Sequence, residues 1–553
     1  MKITHCILAL SLSSHFVPAA PVDPDANYNA IGFGLFDYMT GGIGTRDLAV
    51  SRDGKIVTLD GLNFNTQPNI HVTRLLDNGL FDNSFNGGGQ ITNFVGNDVQ
   101  PVALRVQKDG KSVTLCTFLA GGGPGMLLAR FKADGGIDNS FSGDGKFIMP
   151  LLDVNDTLLD LFPTPGGGYL VVFTSSKNGK PLACFARFSN NGQLNTALGR
   201  NGIVKASLPK DFVGTAATLQ RDGKCIIVGY RAGAANSIAL ARFLATGAPD
   251  AGFGSGGAVI TNTPAGDSVG YGITTTRRGK IAVVSGIIQG GNSVVTLVQY
   301  HSDGRLNTGF GTGGFAETPG SNGIPCRDIA EQKDGKLYIG ATANLGNDSV
   351  IWRFTRKGQL DFTFSNSGST TIDTGNIETI RALALDRQGR LVYAGRNIIG
   401  GSAFSWVGRI LGGPHPADVR VGTTVAVTVG DNFFNFAGIG STQNVTLKRG
   451  ESRTLFFAVQ NEGIAPQSFS CNSTAGSADF TVKYTANGAD ITDALAVQFN
   501  HQTPKVKPGA LALIAVKVKN VNMAPGTNYS LGFIGVSNTD GSGDLCRLDF
   551  TFE

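Results

Sequence analysis

The chain has 553 residues, and 78 of them are glycine, about twice the usual ~7%. Charged residues make up 16% and hydrophobic ones 41%, a balance that excludes a disordered chain. The net charge of +5 comes from 46 basic and 41 acidic residues without a basic cluster, so no nucleic-acid partner is expected, and no run of about 18 apolar residues offers a membrane span.

Residues 1–20 read as a secretory signal peptide: Lys2 gives a positive start, 6–17 are mostly apolar, and Val17-Pro18-Ala19 supplies small residues for cleavage. Cleavage would leave Cys116, Cys184, Cys225, Cys326, Cys471 and Cys546. None forms Cys-x-x-Cys, which excludes a zinc site built from such pairs.

From residue 27 to 411 the sequence repeats. Gly54, Gly110, Gly167, Gly223, Gly279, Gly335 and Gly389 mark one turn, four of them within Asp-Gly-Lys, and their spacing is close to 56 residues throughout. A second turn keeps the same period, as in Asn78-Gly79, Asp134-Gly135 and Asp303-Gly304. A segment like Ile137-Asp138-Asn139-Ser140-Phe141 follows it. Alternating β-branched runs flank these turns, so each unit predicts four short strands, a to d. Such units repeated radially predict a β-propeller. The seventh unit stops at Ile410 without a strand d, while Phe33-Gly34 and the residues after it resemble the missing piece. The expected fold is all-β: a seven-bladed β-propeller whose N-terminal strand closes blade seven, followed by a β-sandwich.

These residues resemble the delta-60 repeat family, bacterial propeller repeats of unknown function. Blade three departs from the pattern with Leu198 in the Phe position and no Asp-Gly-Lys, and blade five has Gln299 where others have Arg. The resemblance implies a secreted or surface protein and no established activity. A linker is expected at 412–416, where Gly and Pro end the period. Residues 417–553 show short strand runs, among them 423–429, 443–447, 453–460, 480–484 and 511–519, that fit a two-sheet sandwich. Val459-Gln460-Asn461-Glu462-Gly463 and Lys507-Pro508-Gly509-Ala510 resemble the immunoglobulin-like domains of bacterial surface proteins. Cys471 and Cys546 are either a disulfide or two unpaired thiols.

Arg74, Arg130, Arg187, Arg242, Arg353 and Arg409 recur at one strand-c position. Recurrence marks them as architectural, each pairing bidentately with a turn carboxylate such as Asp82, Asp138 or Asp361. The Phe series 33, 85, 141, 253, 310 and 364 is read as core. Lys111-Ser112 lacks the earlier glycine of a phosphate-binding loop, and His71, His301, His415 and His501 are too scattered for a triad or metal centre. Asp98, Asp156, Asp211 and Asp267 recur in the d–a loops, with Asn322 and Glu378 nearby in later copies. They are either turn caps or a ring facing a cation or a sugar.

The d–a and b–c loops share one face of a propeller, and variable loops on a rigid scaffold usually carry binding. The b–c segments 62–69, 119–125, 175–181, 289–293 and 345–349 are expected to form that face, with Phe64 its clearest aromatic anchor. The expected function is non-catalytic binding of a protein or glycan by a secreted, extracellular or cell-surface protein, the periplasm being the other compartment open to it. The alternative is a polysaccharide hydrolase or lyase, which would need carboxylates unique to single blades converging on the central channel. No catalytic motif and no cofactor are expected; calcium at the loop acids or at Asp540-Gly541-Ser542-Gly543-Asp544 is the one ion to consider.

Overall fold

The computed structural model describes residues 33–36 and 42–553, apart from 65–66, 94–98, 121–122, 152, 154, 178, 264–265, 290–291, 319–322, 344–347, 363, 365–366, 375, 400–401, 411–416, 425–426, 430–441, 462–467, 497–500, 508–510 and 539–542. The signal and linker readings, Asp98, Asn322 and most of the Asp540 turn lie outside the described residues, as do the side chains of Phe64 and Cys546. The chain divides into two compact units, with the boundary in sequence between 413 and 414.

The first unit holds seven four-stranded antiparallel sheets. Sheet one runs Gly42–Val50, Ile56–Phe64, Gln67–Leu75 and Gln90–Asn93 as strands a to d. The strands a of sheets two to seven are Gln100–Val106, Thr157–Pro163, Phe212–Leu219, Ser268–Thr275, Ile324–Glu331 and Ile377–Leu385. In sheet seven the fourth strand is Phe33–Phe36, antiparallel to Ser402–Ile410 from Phe33↔Gly408 to Phe36↔Ser405.

The repeated turn explains its own sequence. Gly110 sits at φ +83°, a left-handed conformation that glycine adopts without a Cβ penalty. Its N–H donates to the Gln107 carbonyl at 3.1 Å, and the Gln107 N–H donates to the Lys111 carbonyl at 2.7 Å. The middle strands are buried on both faces; every residue of Ser237–Phe243 is buried. That is why they read as near-continuous apolar runs rather than alternating ones.

Each apolar core is shared by two neighbouring sheets. Val57 and Leu59 pack with Leu127 and Ala129, and Ile226 and Val228 with Ile281 and Val283. Leu48 and Ile56 of sheet one pack with Val392 and Val407 of sheet seven, which makes the series of cores circular.

The b–c connections differ from expectation. Strands b and c reach to Phe64↔Gln67, Ala120↔Gly123, Lys177↔Lys180, Gln289↔Asn292 and Ile399↔Ser402. In the first four of these sheets most of the expected loop, at 62–69, 119–125, 175–181 and 289–293, is paired hairpin, and of 345–349 in sheet six Asp348 and Ser349 pair with Ala343 and Thr342.

The second unit has a six-stranded and a five-stranded sheet. Ser452–Asn461 and Leu511–Asn520 are central in the first, Asn528–Ser537 in the second. Phe457 stacks on Phe533 at 4.6 Å and 10°, and both belong to one core. The expected strand 423–429 is instead split between Ala417–Thr424 and Val427–Val429, paired through Thr424↔Val427. Cys471 pairs in register with Gly535, and Cys546 with Phe533, so strand Asn528–Ser537 lies between the two cysteines. Two strand spacings are roughly 9–10 Å. A disulfide spans Cα atoms about 4.4–6.8 Å apart, so these registers do not bring the two together. Among the described residues no helix is long and apolar enough to cross a membrane.

Candidate functional site

The recurrent arginines hold the ring. Arg74 donates from Nε to Asp82 Oδ2 at 2.8 Å, and Lys55 Nζ lies 3.0 Å from the same oxygen. Arg130 with Lys111, Arg242 with Lys224 and Arg353 with Lys336 repeat this on Asp138, Asp250 and Asp361. The expected bidentate pairing is corrected: two cations share one carboxylate oxygen, and a terminal guanidinium nitrogen serves another purpose. It reaches the c–d turn of the next sheet, at the carbonyl of Ala133 from Arg74, of Asn190 from Arg130, of Ala245 from Arg187 and of Ser302 from Arg242. Arg409 of sheet seven makes the equivalent bond to the Asp77 carbonyl of sheet one at 2.5 Å, closing the circle. Phe85, Phe141, Phe253 and Phe364 are fully buried beneath the guanidiniums, with Arg242 Cζ 4.4 Å from the Phe253 ring centre.

Departures from the repeat are matched in pairs. Where sheet five has Gln299 for Arg, Asn307 replaces Asp, and its Nδ2 donates to Gln299 Oε1 at 2.7 Å. Sheet seven substitutes Arg390 for the Lys, and it bonds Asp386 at 2.5 Å and Asp77 at 2.7 Å.

Burial works to raise the Asp82 and Asp138 carboxyls, but the adjacent serine, lysine and arginine outweigh it and hold both at about 2. A folded value below the unfolded one means that these pairs stabilise the fold above the ordinary carboxylate range of about 4 and lose that contribution as pH falls through about 2. Acid unfolding followed by circular dichroism is expected to fall largely within that window. A transition complete above about pH 5 would show that other groups control it.

The described loop acids differ from one another in their partners. Asp156 Oδ2 accepts the Asp153 N–H at 3.2 Å, and Asp267 Oδ1 accepts the Asn236 N–H at 2.9 Å. Asp211 is exposed at φ +61°. Asp156 thus closes a local turn, and Asp267 holds backbone 31 residues away in sequence. Glu378 joins a cluster with Asp348 and Asp373.

Sequence reasoning missed a charged cluster on the axis. Every strand a has a register shift against strand b, an extra residue that breaks the alternation of faces. The shift falls on Arg46 in sheet one, within 326–328 in sheet six and on Arg381 in sheet seven. A cavity of 90 Å³ is lined by strand a of all seven sheets and receives Arg46, Arg327 and Arg381 together with Asp47, Asp160 and Asp328.

Arg105 lines the same cavity and bridges two of the acids, Asp47 at 3.0 Å and Asp160. Asp47 Oδ2 also accepts the Leu104 N–H at 2.7 Å, and Asp328 Oδ2 accepts the Leu383 N–H at 3.0 Å, each tying one inner strand to the next. Arg46 and Arg327 make no hydrogen bond or ion pair among the described residues.

Burial, opposed by Arg105, pushes Asp160 up to about 6. Burial and the Asp47 charge push Asp328 up to about 7. Burial first, and then the Arg46 charge, lower Arg327 and Arg381 to about 10. Three carboxylates, Asp47, Asp160 and Asp328, thus reach the cavity from one aligned position in sheets one, three and six. Cys116, Cys184 and Cys225 are buried, and burial raises each thiol, which makes these three poor nucleophiles.

A family model described as a domain of unknown function (DUF5122) beta-propeller matches residues 220–253 and 332–364. These are the Asp-Gly-Lys to Phe stretches of sheets four and six. No curated protein matches the sequence. Similar solved structures include a subtype N10 neuraminidase-like protein of A/little yellow-shouldered bat/Guatemala, 10% identical, covering 68% of this chain and 98% of that one at TM-score 0.34. A putative glycoside hydrolase from Bacteroides ovatus ATCC 8483 is 12% identical, covering 71% and 94% at TM-score 0.25. Likeness at these scores carries no argument about function.

Proposed function

We propose that the chain is an exported, non-catalytic binding protein: a seven-bladed propeller of the delta-60 type, closed by its N-terminal strand and followed by an immunoglobulin-like sandwich, whose ligand presents an anionic group to the axial cluster. The observation that carries this reading is the convergence of Arg46, Arg327 and Arg381 from three consecutive inner strands. After burial, the Arg46 charge lowers the proton affinity of both Arg327 and Arg381, so a carboxylate or sulfate placed among the three guanidiniums would relieve their repulsion. The cavity volume of 90 Å³ leaves room for an anionic substituent among these side chains. A glycan or peptide bearing such a substituent would lie across the mouth of the channel, with the surrounding loops adding contacts.

The test is a glycan array with matched acidic and neutral sugars, followed by titration of the best ligand. Arg46→Ala with Arg327→Ala should weaken binding at least tenfold, as lost charge-assisted hydrogen bonds do, while the protein stays folded by its melting curve. Equal binding of neutral sugars with an unaffected double variant would refute the reading.

Affinity should also rise as pH falls from about 8 to 5, because Asp328 and then Asp160 take up protons and stop opposing the ligand. The same raised values mean that these two acids stabilise the fold at low pH and cease to do so as pH rises through about 7. A flat affinity profile across that range would count against the axial site. Asp160 and Asp328 also favour a second reading, a hydrolase with a carboxyl still protonated near neutrality. Polysaccharide cleavage abolished by Asp160→Asn or Asp328→Asn would establish it in place of the first.

A further inference from the structure

We propose that Asp348, Asp373 and Glu378 form a calcium site joining sheets six and seven. Asp348 opens strand c of sheet six, Asp348–Phe354. Asp373 follows its strand d, Ser369–Ile372, and Glu378 is the second residue of strand a in sheet seven. One carboxylate oxygen of each lies within 4.8 Å of the other two. Three like charges at that spacing repel one another, and Glu378 is wholly buried, so hydration cannot offset its charge.

A second observation points to a cation. Glu378 Oε1 accepts the Thr374 N–H at 3.2 Å and the Thr374 hydroxyl as well. Asn397, also wholly buried and opposite Glu378 in register, donates from Nδ2 to Thr374 Oγ1 at 2.8 Å. That leaves Glu378 Oε2 and Asn397 Oδ1, two buried oxygens with no hydrogen-bond partner among the described residues. Buried acceptors without a donor are rare in native proteins. A metal ion meets the need of both, because it accepts lone pairs where no N–H is within reach.

The ligand chemistry selects the ion. Three carboxylates and an amide carbonyl are hard oxygen donors, with no imidazole or thiolate for zinc. Calcium sits about 2.3–2.6 Å from its ligands, so oxygens on opposite sides of it are about 4.6–5.2 Å apart, wide enough for this set. Magnesium holds opposite oxygens at about 4.0–4.2 Å in a strict octahedron, which strands fixed by two sheets are poorly able to provide. The ion would clamp the end of sheet six onto the inner strand of the sheet that closes the ring.

The experiment uses the full chain stripped with EDTA, then calorimetric titration with calcium chloride and thermal melting with and without the ion. One calcium per chain is expected, with a dissociation constant of about 10⁻⁵–10⁻³ M and a melting temperature raised by several degrees. Both effects should vanish in Glu378→Gln and in Asp373→Asn. In EDTA, Glu378→Gln should melt at or above the wild type, since it removes repulsion; this separates a lost ion from a damaged fold. Magnesium should bind at least tenfold more weakly. The proposal fails if calcium gives neither heat nor a shift, or if both variants keep the shift, which would place the ion elsewhere. It also fails if Glu378→Gln melts well below wild type in EDTA, or if magnesium binds equally well.

Discussion

A chain lacking residues 21–40 is expected to melt about 3–8 °C below the intact one and to self-associate. The segment removed includes Phe33–Phe36, which supplies the fourth strand of sheet seven through four register pairs with Ser402–Ile410. At a net contribution of about 0.5–1.5 kcal/mol per hydrogen bond, the loss is about 2–6 kcal/mol. Unfolding entropy scales with length, so in a unit of nearly 400 residues each kcal/mol moves the midpoint by only about 1–2 °C.

The second effect should be the more visible one. Ser402–Ile410 carries buried Trp406 and Val407 and becomes a nine-residue edge with unpaired N–H and C=O groups, a template for pairing with another copy. The core between sheets one and seven includes Leu48, Ile56, Val392 and Val407, all of which remain, so the ring should persist while its edge is exposed. Calorimetry and size-exclusion chromatography would check this. An unchanged midpoint in a protein that stays monomeric would remove any closing role from Phe33–Phe36.

The turns were legible because their chemistry is local. An Asp-Gly-Lys tripeptide must place its glycine at positive φ, and seven copies at one spacing report seven similar turns, whatever else the chain does. The closing strand was legible for the same reason, as a repeat fragment displaced to the other end. The axial cluster was not, because reading a strand assumes that side chains alternate between faces. A bulge in each strand a breaks that rule at the residues that reach the axis. A signal existed in the period itself: Asp47, Ala103, Asp160, Ala216, Gly272, Asp328 and Ala382 are aligned copies, and three of them carry charge. The acidic cluster on sheets six and seven gave less warning. Glu378 belongs to the loop series, but Asp348 and Asp373 occupy different places in the repeat and meet it only through the packing of two sheets.

The last expected result concerns the arginine–aspartate pair, for which sheet five supplies its own control. Arg353 is wholly buried and Asp361 nearly so, with Nε and Oδ2 2.6 Å apart. Arg353→Gln strips a buried carboxylate of its nearer cation, and Asp361→Asn strips a buried guanidinium of its anion. Breaking such a pair from one side costs about 3–5 kcal/mol, because the charge left behind is neither solvated nor paired. Changing both residues restores neutrality and recreates the Gln299–Asn307 amide pair that sheet five already uses at 2.7 Å.

The double variant should therefore be more stable than either single one. It will not match the wild type, because Arg353 also lies 4.9 Å from the Phe364 ring centre and donates to the Tyr338 hydroxyl at 3.1 Å, contacts a glutamine cannot reproduce. Lys336, 2.9 Å from Asp361, loses its partner too, but at one-fifth exposure it can recover part of its hydration. Urea unfolding of the four proteins gives the coupling energy, expected to be about 2 kcal/mol or more in favour of the pair. If the two substitutions simply add, the matched departures in sheet five are unrelated to charge, and the recurrence of Arg with Asp in the other sheets needs a different physical cause.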